Sequence, residues 1–354
     1  MSRFADYNIN KITPYVPGEQ PRVQKYIKLN TNENPYPPSP KAIAAAVSET
    51  NKYNLYPDPE CRELTEKLAE EFSVGIENIF VGNGSDEVLA FIFQGFCEGG
   101  VAFPDITYGF YKVYSEIYNR TAEIIPLKDD LSIDYNDYLN VDKTVVIANP
   151  NAPTGMVLEI EDIEKILQCN KNNLVVIDEA YVDFGSMSSV RLIKEYDNLV
   201  VVGTFSKSRS LAGARIGYAV SNKYVIDDLN KIKFSFNPYS LNRATLAAAS
   251  ASISDREYFE ECISKIISTR EKFKLKLKEM GYLQTDSKAN FVFVKHPYLS
   301  GEDVFEKLKD SGILVRHFKK ERISDYLRIT IGSEEDMEVV IKELSKLVDD
   351  RGNL

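Results

Sequence analysis

Apolar residues recur along this chain in two rhythms, one helical and one extended. Ser39-Pro40 reads as an N-cap and first helical position leading into Lys41 to Ser48. From Cys61 to Phe72, apolar residues return every three or four positions among charges, and a short apolar run follows at Ile79 to Val81. The succession repeats with a helical stretch at Ser85 to Phe96 and an apolar run at Val101 to Phe103. Helix and strand in alternation predict an α/β architecture.

Three β-branched runs come next, at Thr144 to Ala148, Leu174 to Asp178 and Leu199 to Thr204. Runs that are apolar at every position suit strands covered on both faces, so they are expected to be neighbouring parallel strands inside one sheet. Each is followed at once by polar residues: Asn149 to Asn151, Asp178-Glu179 and Ser206-Lys207. Ligands of open α/β sheets bind beyond the carboxyl ends of the strands, so one site is expected to receive all three.

After Ser240 the helical stretches lengthen, notably Arg256 to Met280. Strands are expected near Asn290 to Val294 and Tyr326 to Ile331, and a last helix from Glu334 to Val348. At 354 residues the chain is long enough for a large domain and a smaller one. The expected division is an irregular arm over 1–38, rich in Pro, Asn and Tyr, a large domain over 39–240 and a small α+β domain over 241–354, which the arm joins.

Composition narrows the function. Apolar residues make up 44% and charged residues 27%, as in ordinary globular proteins. A net charge of -10, with Lys and Arg scattered, argues against nucleic acid as a partner. The opening residues carry Arg3 and Asp6, and no apolar run approaches the roughly 18 residues of a membrane span, so a cytoplasmic protein is expected. Cys61, Cys97, Cys169 and Cys262 are widely spaced and form no CxxC pair, and His296 and His317 are the only histidines. Reduced structural thiols are expected, with no metal site and no histidine triad.

The candidate chemistry therefore rests on lysine, aspartate and arginine. Lys207 follows an apolar strand, where partial desolvation would lower its pKa and free a neutral amine for Schiff-base formation. Thr204 and Ser206 beside it offer hydroxyls, and Arg215 a planar fork of donors, a set that suits a phosphate. Asp178 ends a buried strand and needs a cationic partner, unless it caps the next turn, and Tyr181 stands three residues on. Gly82-Asn-Gly-Ser-Asp-Glu87 joins a strand to a helix whose backbone amides could face an anion, although an N-cap at Ser85 or Asp86 explains it equally well. Tyr108 follows another strand and could stack on an aromatic ligand. Asn149 to Gly155 is a turn-rich loop, and Arg316 and Arg328 stand in short strands, two guanidiniums that suit a substrate with two anionic ends.

Together these residues resemble the fold-type I, pyridoxal-phosphate-dependent aminotransferases over nearly the whole chain. The specific marks are Asn149-Pro-Asn-Ala-Pro-Thr-Gly155, Asp178-Glu-Ala-Tyr181 and the Ser206-Lys207 segment ending in Arg215. Within that superfamily the chain looks most like the histidinol-phosphate aminotransferase family, through Thr13-Pro-Tyr-Val-Pro-Gly18, Lys28-Leu-Asn-Thr-Asn-Glu-Asn-Pro35, Tyr56-Pro-Asp-Pro59, Gly82 to Glu87 and Leu327-Arg-Ile-Thr-Ile-Gly332. The resemblance implies a large domain with a mostly parallel sheet and a smaller α+β domain.

It also implies roles. Lys207 would hold pyridoxal 5'-phosphate as a Schiff base, Asp178 would pair with the pyridine nitrogen, Tyr181 would bond the phenolic oxygen, and Tyr108 would stack on the ring. Backbone groups of Gly84, Ser85 and Asp86, with Thr204, Ser206 and Arg215, would bind the phosphate, joined by Tyr56 from the second subunit of a homodimer. Arg328 would hold the carboxylate of glutamate or 2-oxoglutarate, Arg316 and Tyr15 the phosphate of histidinol phosphate, and Asn32 would border the substrate. Where the family commonly has Asn before Pro-Thr-Gly, this chain has Ala152, and Asn151 or an ordered water is expected to replace the lost contact. The implied reaction, in histidine biosynthesis, converts histidinol phosphate and 2-oxoglutarate to imidazole acetol phosphate and glutamate, with Lys207 as the acid and base. An aromatic aminotransferase or a threonine-phosphate decarboxylase on the same scaffold shares these motifs, and a non-catalytic binding protein would share the fold.

Overall fold

The three valine-rich runs lie side by side in the middle of a seven-stranded sheet in the computed structural model, which describes residues 4, 9, 11–20 and 26–349. Arg3 and Asp6 lie outside the described residues. A two-residue strand β1 (Ile27–Lys28) precedes the large sheet, whose members are β2 (Ile79–Gly82), β3 (Val101–Pro104), β4 (Ala122–Ile125), β5 (Thr144–Ala148), β6 (Val175–Asp178), β7 (Leu199–Thr204) and β8 (Gly217–Ser221). Their order is β2-β8-β7-β6-β5-β3-β4. Neighbours from β7 to β4 pair in parallel, and β8 runs antiparallel to both β7 and β2. This is the expected mostly parallel α/β sheet.

Side-chain alternation explains why β5, β6 and β7 are apolar at consecutive interior positions. Val145, Ile147, Val175, Ile177, Leu199 and Val201 point into one hydrophobic cluster, while Val146, Val176, Val200 and Val202 point into another on the opposite face. Helices cover both faces and each of these side chains is 0–1% exposed. Fully burying one such side chain stabilises the fold by roughly 1.5–3 kcal/mol.

A second sheet, antiparallel throughout, follows. Its strands are β9 (Leu283–Gln284), β10 (Phe291–Lys295), β12 (Arg316–His317) and β13 (Tyr326–Thr330), in the order β12-β13-β10-β9, while β11 (Ile313–Leu314) pairs instead with β1. The stretch from Ile313 to His317 is therefore two short strands serving different partners. The long helix Arg256–Glu279 and the last helix Glu334–Asp349 pack on this part through Ile266, Phe273, Leu277, Val340 and Leu344. Helix Pro40–Glu49 begins as expected, with the Ser39 hydroxyl accepting from the amide of Ala42 at 3.1 Å.

Helix Gly84–Phe96 starts one residue before the expected point. Its N-cap is Asn83, whose backbone amide donates to Glu87 Oε2 at 2.6 Å, so neither Ser85 nor Asp86 is the cap. Gly84 has φ +79°, a left-handed conformation that glycine adopts at no steric cost, and a Cβ added there would come within 2.5 Å of Arg215 Nη2. The same glycine that turns the strand into the helix thus lets a guanidinium approach the helix N-terminus.

Candidate active site

The carboxyl ends of β5, β6 and β7 stand in register, with Ala148 opposite Asp178 and Asp178 opposite Val202. The residues that follow converge on a cavity of about 190 Å³ lined by Ser85, Asp86, Tyr108, Asp178, Tyr181, Thr204, Ser206, Lys207 and Arg215. A larger cavity of about 590 Å³ takes in Tyr15, Asn32, Arg316 and Arg328 and shares Thr31, Tyr108, Ala152, Tyr181 and Lys207 with the first. Lys207 therefore stands where the two meet.

The electrostatics of the inner cavity follow from burial. Lys207 Nζ donates to the carbonyl of Thr31 at 3.2 Å and lies 5.9 Å from the Tyr181 ring centroid. Desolvation, helped by Arg328, lowers its pKa from 10.5 to about 8, so a neutral amine is accessible near neutral pH. Asp178 is 4% exposed and accepts from the Tyr111 hydroxyl at 2.8 Å and the Ala180 amide at 3.2 Å. Burial raises its pKa to about 6, and those two hydrogen bonds and Lys207 oppose the rise. The amide of Ala180 shows that Asp178 also holds the following turn, so the capping reading and the cavity-facing one coexist in a single carboxylate.

Asp86 bridges two other groups. It accepts from the Tyr108 hydroxyl and from Arg215 Nη2, both at 2.7 Å, which places the exposed guanidinium at the N-terminus of helix Gly84–Phe96. Thr204 Oγ1 accepts from the Ser206 amide at 3.1 Å and lies 3.0 Å from Ser206 Oγ, so both hydroxyls sit at the end of β7 beside that guanidinium. Helix N-terminus, hydroxyls and guanidinium form an anion cradle next to the lysine.

The outer cavity owes its charge to the smaller sheet. Arg316 and Arg328 are register partners on β12 and β13, and both line the cavity. Like charges directly opposite on adjacent strands destabilise a sheet. Arg328 donates through Nη2 to the Asn30 carbonyl at 3.0 Å, its buried Nε lacks a hydrogen-bond partner among the described residues, and burial with Arg316 nearby lowers its pKa. Arg316 donates to the carbonyls of Val16 and Pro17, which brings Tyr15, stacked on Phe110 at 4.4 Å, to the rim. Such an arrangement suits an anion entering between the two.

One expected residue, Asn151, stands elsewhere. Asn151 is 1% exposed and lines neither cavity. Its amide donates to the Ile106 carbonyl at 2.9 Å and Thr154 Oγ1 at 3.2 Å, and its oxygen accepts from Thr107 at 2.8 Å. A buried amide satisfied in this way holds the loop together, and Ala152 is the residue of that loop that lines both cavities. Tyr56 is 77% exposed, stacked on Tyr239 at 4.6 Å, and lies outside both cavities of its own chain. Asn32 borders the outer cavity, but its amide nitrogen donates to the Tyr181 hydroxyl at 2.8 Å, so it orients that tyrosine. Sequence reasoning missed Thr31, Glu33, Tyr111 and Ala180. Ala180 lay in the quoted Asp178 to Tyr181 motif, and Tyr111 lay three residues past Tyr108.

Known proteins fit this geometry. The family model for aminotransferase class I and II matches residues 24–344. A histidinol-phosphate aminotransferase of Brachyspira hyodysenteriae is 49% identical over 98% of this chain and 99% of its own, and one of Clostridium acetobutylicum 48% identical over 98% and 100%. Among solved structures, histidinol-phosphate aminotransferase from Sinorhizobium meliloti in complex with pyridoxal-5'-phosphate shares the fold with a TM-score of 0.88, at 24% identity, over 99% of this chain and 98% of that one. A Thermus thermophilus aspartate aminotransferase mutant shares it with a TM-score of 0.83 at 19% identity, over 98% and 100%. The chain belongs to the class I and II aminotransferases, the family whose fold its sequence led us to expect.

Proposed function

We propose that this chain is a pyridoxal-phosphate-dependent aminotransferase that passes the amino group of L-histidinol phosphate to 2-oxoglutarate, giving imidazole acetol phosphate and L-glutamate in histidine biosynthesis. The observation that carries the reading is Lys207, a desolvated amine between a cavity ending in an anion cradle and one lined by two arginines. Relatives bearing that name, 48–49% identical over nearly the full length, support the substrate.

The residues of the inner cavity fit the cofactor. Lys207 would meet its aldehyde, buried Asp178 its ring nitrogen, Tyr181 its phenolic oxygen and Tyr108 a ring face. The amides of Gly84, Ser85 and Asp86, with Thr204, Ser206 and Arg215, would hold its phosphate. Bound there, pyridoxal phosphate supplies an aldehyde for imine exchange and a cationic ring that withdraws electrons from the substrate Cα. Lys207 takes the proton from that Cα and holds it at Nζ, a duty its lowered pKa allows. Asp178 keeps a negative charge at the deep end of the cavity. Arg328 orients the carboxylate of 2-oxoglutarate or glutamate, and Arg316 with Tyr15 the phosphate of histidinol phosphate.

The working unit is a homodimer in which Tyr56 reaches the partner's phosphate cradle. Ile43, Val47, Tyr53, Leu55 and Tyr56 are 47–77% exposed along one stretch of chain, a large apolar surface for a monomer to leave in water. We place the enzyme in the cytoplasm. All four cysteines are free, and among the described residues no helix is long and apolar enough to cross a membrane. The test is an assay of purified protein with histidinol phosphate and with phenylalanine, 2-oxoglutarate being the acceptor. Parallel double-reciprocal lines and a strong preference for the phosphorylated donor are expected. Carbon dioxide release, or indifference to the phosphate, refutes the reading.

A further inference from the structure

We infer that Tyr111 is a positioning residue for the reaction, and that its hydroxyl, by donating to Asp178, keeps the proton shared by that carboxylate and the cofactor on the ring nitrogen. The inference rests on the cofactor reading given above.

The geometry is specific. Tyr111 is 0% exposed, and its ring is fixed by Phe93 at 6.3 Å, Phe103 at 5.9 Å and Tyr108 at 5.6 Å between centroids. Its hydroxyl donates to Asp178 Oδ2 at 2.8 Å, while the Ala180 amide donates to Oδ1. Tyr108 stands two residues before the helix that starts at Phe110 and Tyr111 lies in its first turn, so one short segment brings one phenol to Asp86 and the other to Asp178. A buried phenol with a carboxylate in reach can act only as donor. Burial and Asp178 itself push its own ionisation well above the ordinary tyrosine range, so it remains a donor at every working pH.

The consequence is a choice between two forms of one pair. With a proton between Asp178 and a pyridine nitrogen, the pair is either carboxylate and pyridinium or carboxylic acid and pyridine. A hydrogen bond from Tyr111 stabilises the charged carboxylate and so favours the first form, the one in which the ring withdraws electrons. Asp86, on helix Gly84–Phe96, acts against ionisation of Asp178, while Lys207 beyond β7 and the Ala180 amide favour it. Of the side chains among the described residues, Tyr111 is the one that bonds the carboxylate directly. A hydrogen bond to a charged group shifts such an equilibrium by roughly tenfold or more.

The test uses holoenzyme loaded with pyridoxal phosphate carrying ¹⁵N in the ring. In the unaltered protein the ¹⁵N shift is expected at the protonated value. In Tyr111→Phe it should move toward neutral pyridine, kcat should fall roughly tenfold or more, and KM for the amino donor should move less than about threefold. Tyr111→Phe should add nothing further to the ¹⁵N shift in an Asp178→Asn background. Should the phenylalanine variant fold poorly, 3-fluorotyrosine at position 111, a stronger donor of the same shape, should hold the ¹⁵N resonance at or beyond the protonated value and leave kcat at or above that of the unaltered enzyme. A ¹⁵N shift unchanged in Tyr111→Phe, with only a lower melting temperature, overturns the inference and leaves the cofactor reading intact. Failure of the unaltered chain to bind pyridoxal phosphate overturns both.

Discussion

Replacing Arg328 by Gln separates the two halves of the proposed reaction. The structure supplies the magnitude. Arg328 spends Nη2 on the Asn30 carbonyl and keeps Nε without a hydrogen-bond partner, in a cavity where a carboxylate can reach it. Removing one member of a desolvated, hydrogen-bonded charge pair costs roughly 2–5 kcal/mol. Because this arginine is only half-buried, the lower part of that range applies, and about 3 kcal/mol corresponds to about 150-fold in kcat/KM. The loss should fall on 2-oxoglutarate and glutamate, whose carboxylate Arg328 holds. Histidinol phosphate lacks that carboxylate and should lose less than about tenfold. Folding stability should hardly change, because relieving the opposition of Arg316 and Arg328 offsets the lost bond to Asn30. Single-turnover absorbance measurements of each half-reaction, with chemical denaturation of the apoprotein, read all three quantities. Equal losses in both half-reactions, or none, would refute this division of labour.

Further outcomes are expected. Cofactor uptake by the apoprotein should accelerate as pH rises through about 8, where Lys207 loses its proton, and stopped-flow mixing with pyridoxal phosphate reads it. The same group sets a stability trend: its folded pKa lies below the unfolded 10.5, so the unfolded chain binds more protons between those values and this contribution to stability rises with pH across that window. Glu179, fully enclosed by Ser188 and Ser189 and raised to about 7, works in the other direction, so Glu179→Gln should stabilise the protein above pH 7 and lose that advantage in acid, as denaturation at both pH values would report. Tyr56→Phe should leave the melting temperature unchanged and weaken cofactor binding by roughly tenfold, as for one lost hydrogen bond to a charged group, measured by equilibrium dialysis. Ile177→Ala, in the centre of β6 at 0% exposure, should cost about 2–5 kcal/mol in urea unfolding.

Much of the fold was legible because the large sheet is built from strands buried on both faces, whose apolar runs cannot be mistaken for amphipathic segments. Val145 to Ile147, Val175 to Ile177 and Leu199 to Val202 are of this kind, and the polar residues at their ends mark the site without further information. Arg316 was harder to place. Its strand is two residues long, and its pairing with Arg328 depends on a register that local pattern does not encode. Asn151 misled because a loop asparagine beside prolines is as well suited to bonding its own backbone as to bonding a ligand, and here the buried carbonyl of Ile106 takes it. Tyr111 is one aromatic among 21 tyrosines, and only the fold, which brings the first turn of helix Phe110–Ile117 to the end of β6, shows that its hydroxyl ends on Asp178.

The central claim is that one amine, that of Lys207, carries the cofactor. Reduction of the loaded protein with borohydride, followed by proteolysis and mass spectrometry of the labelled peptide, tests it most directly. Pyridoxyl label on Lys207 alone is expected, and its loss in Lys207→Ala. Label on another lysine, or none, contradicts the claim.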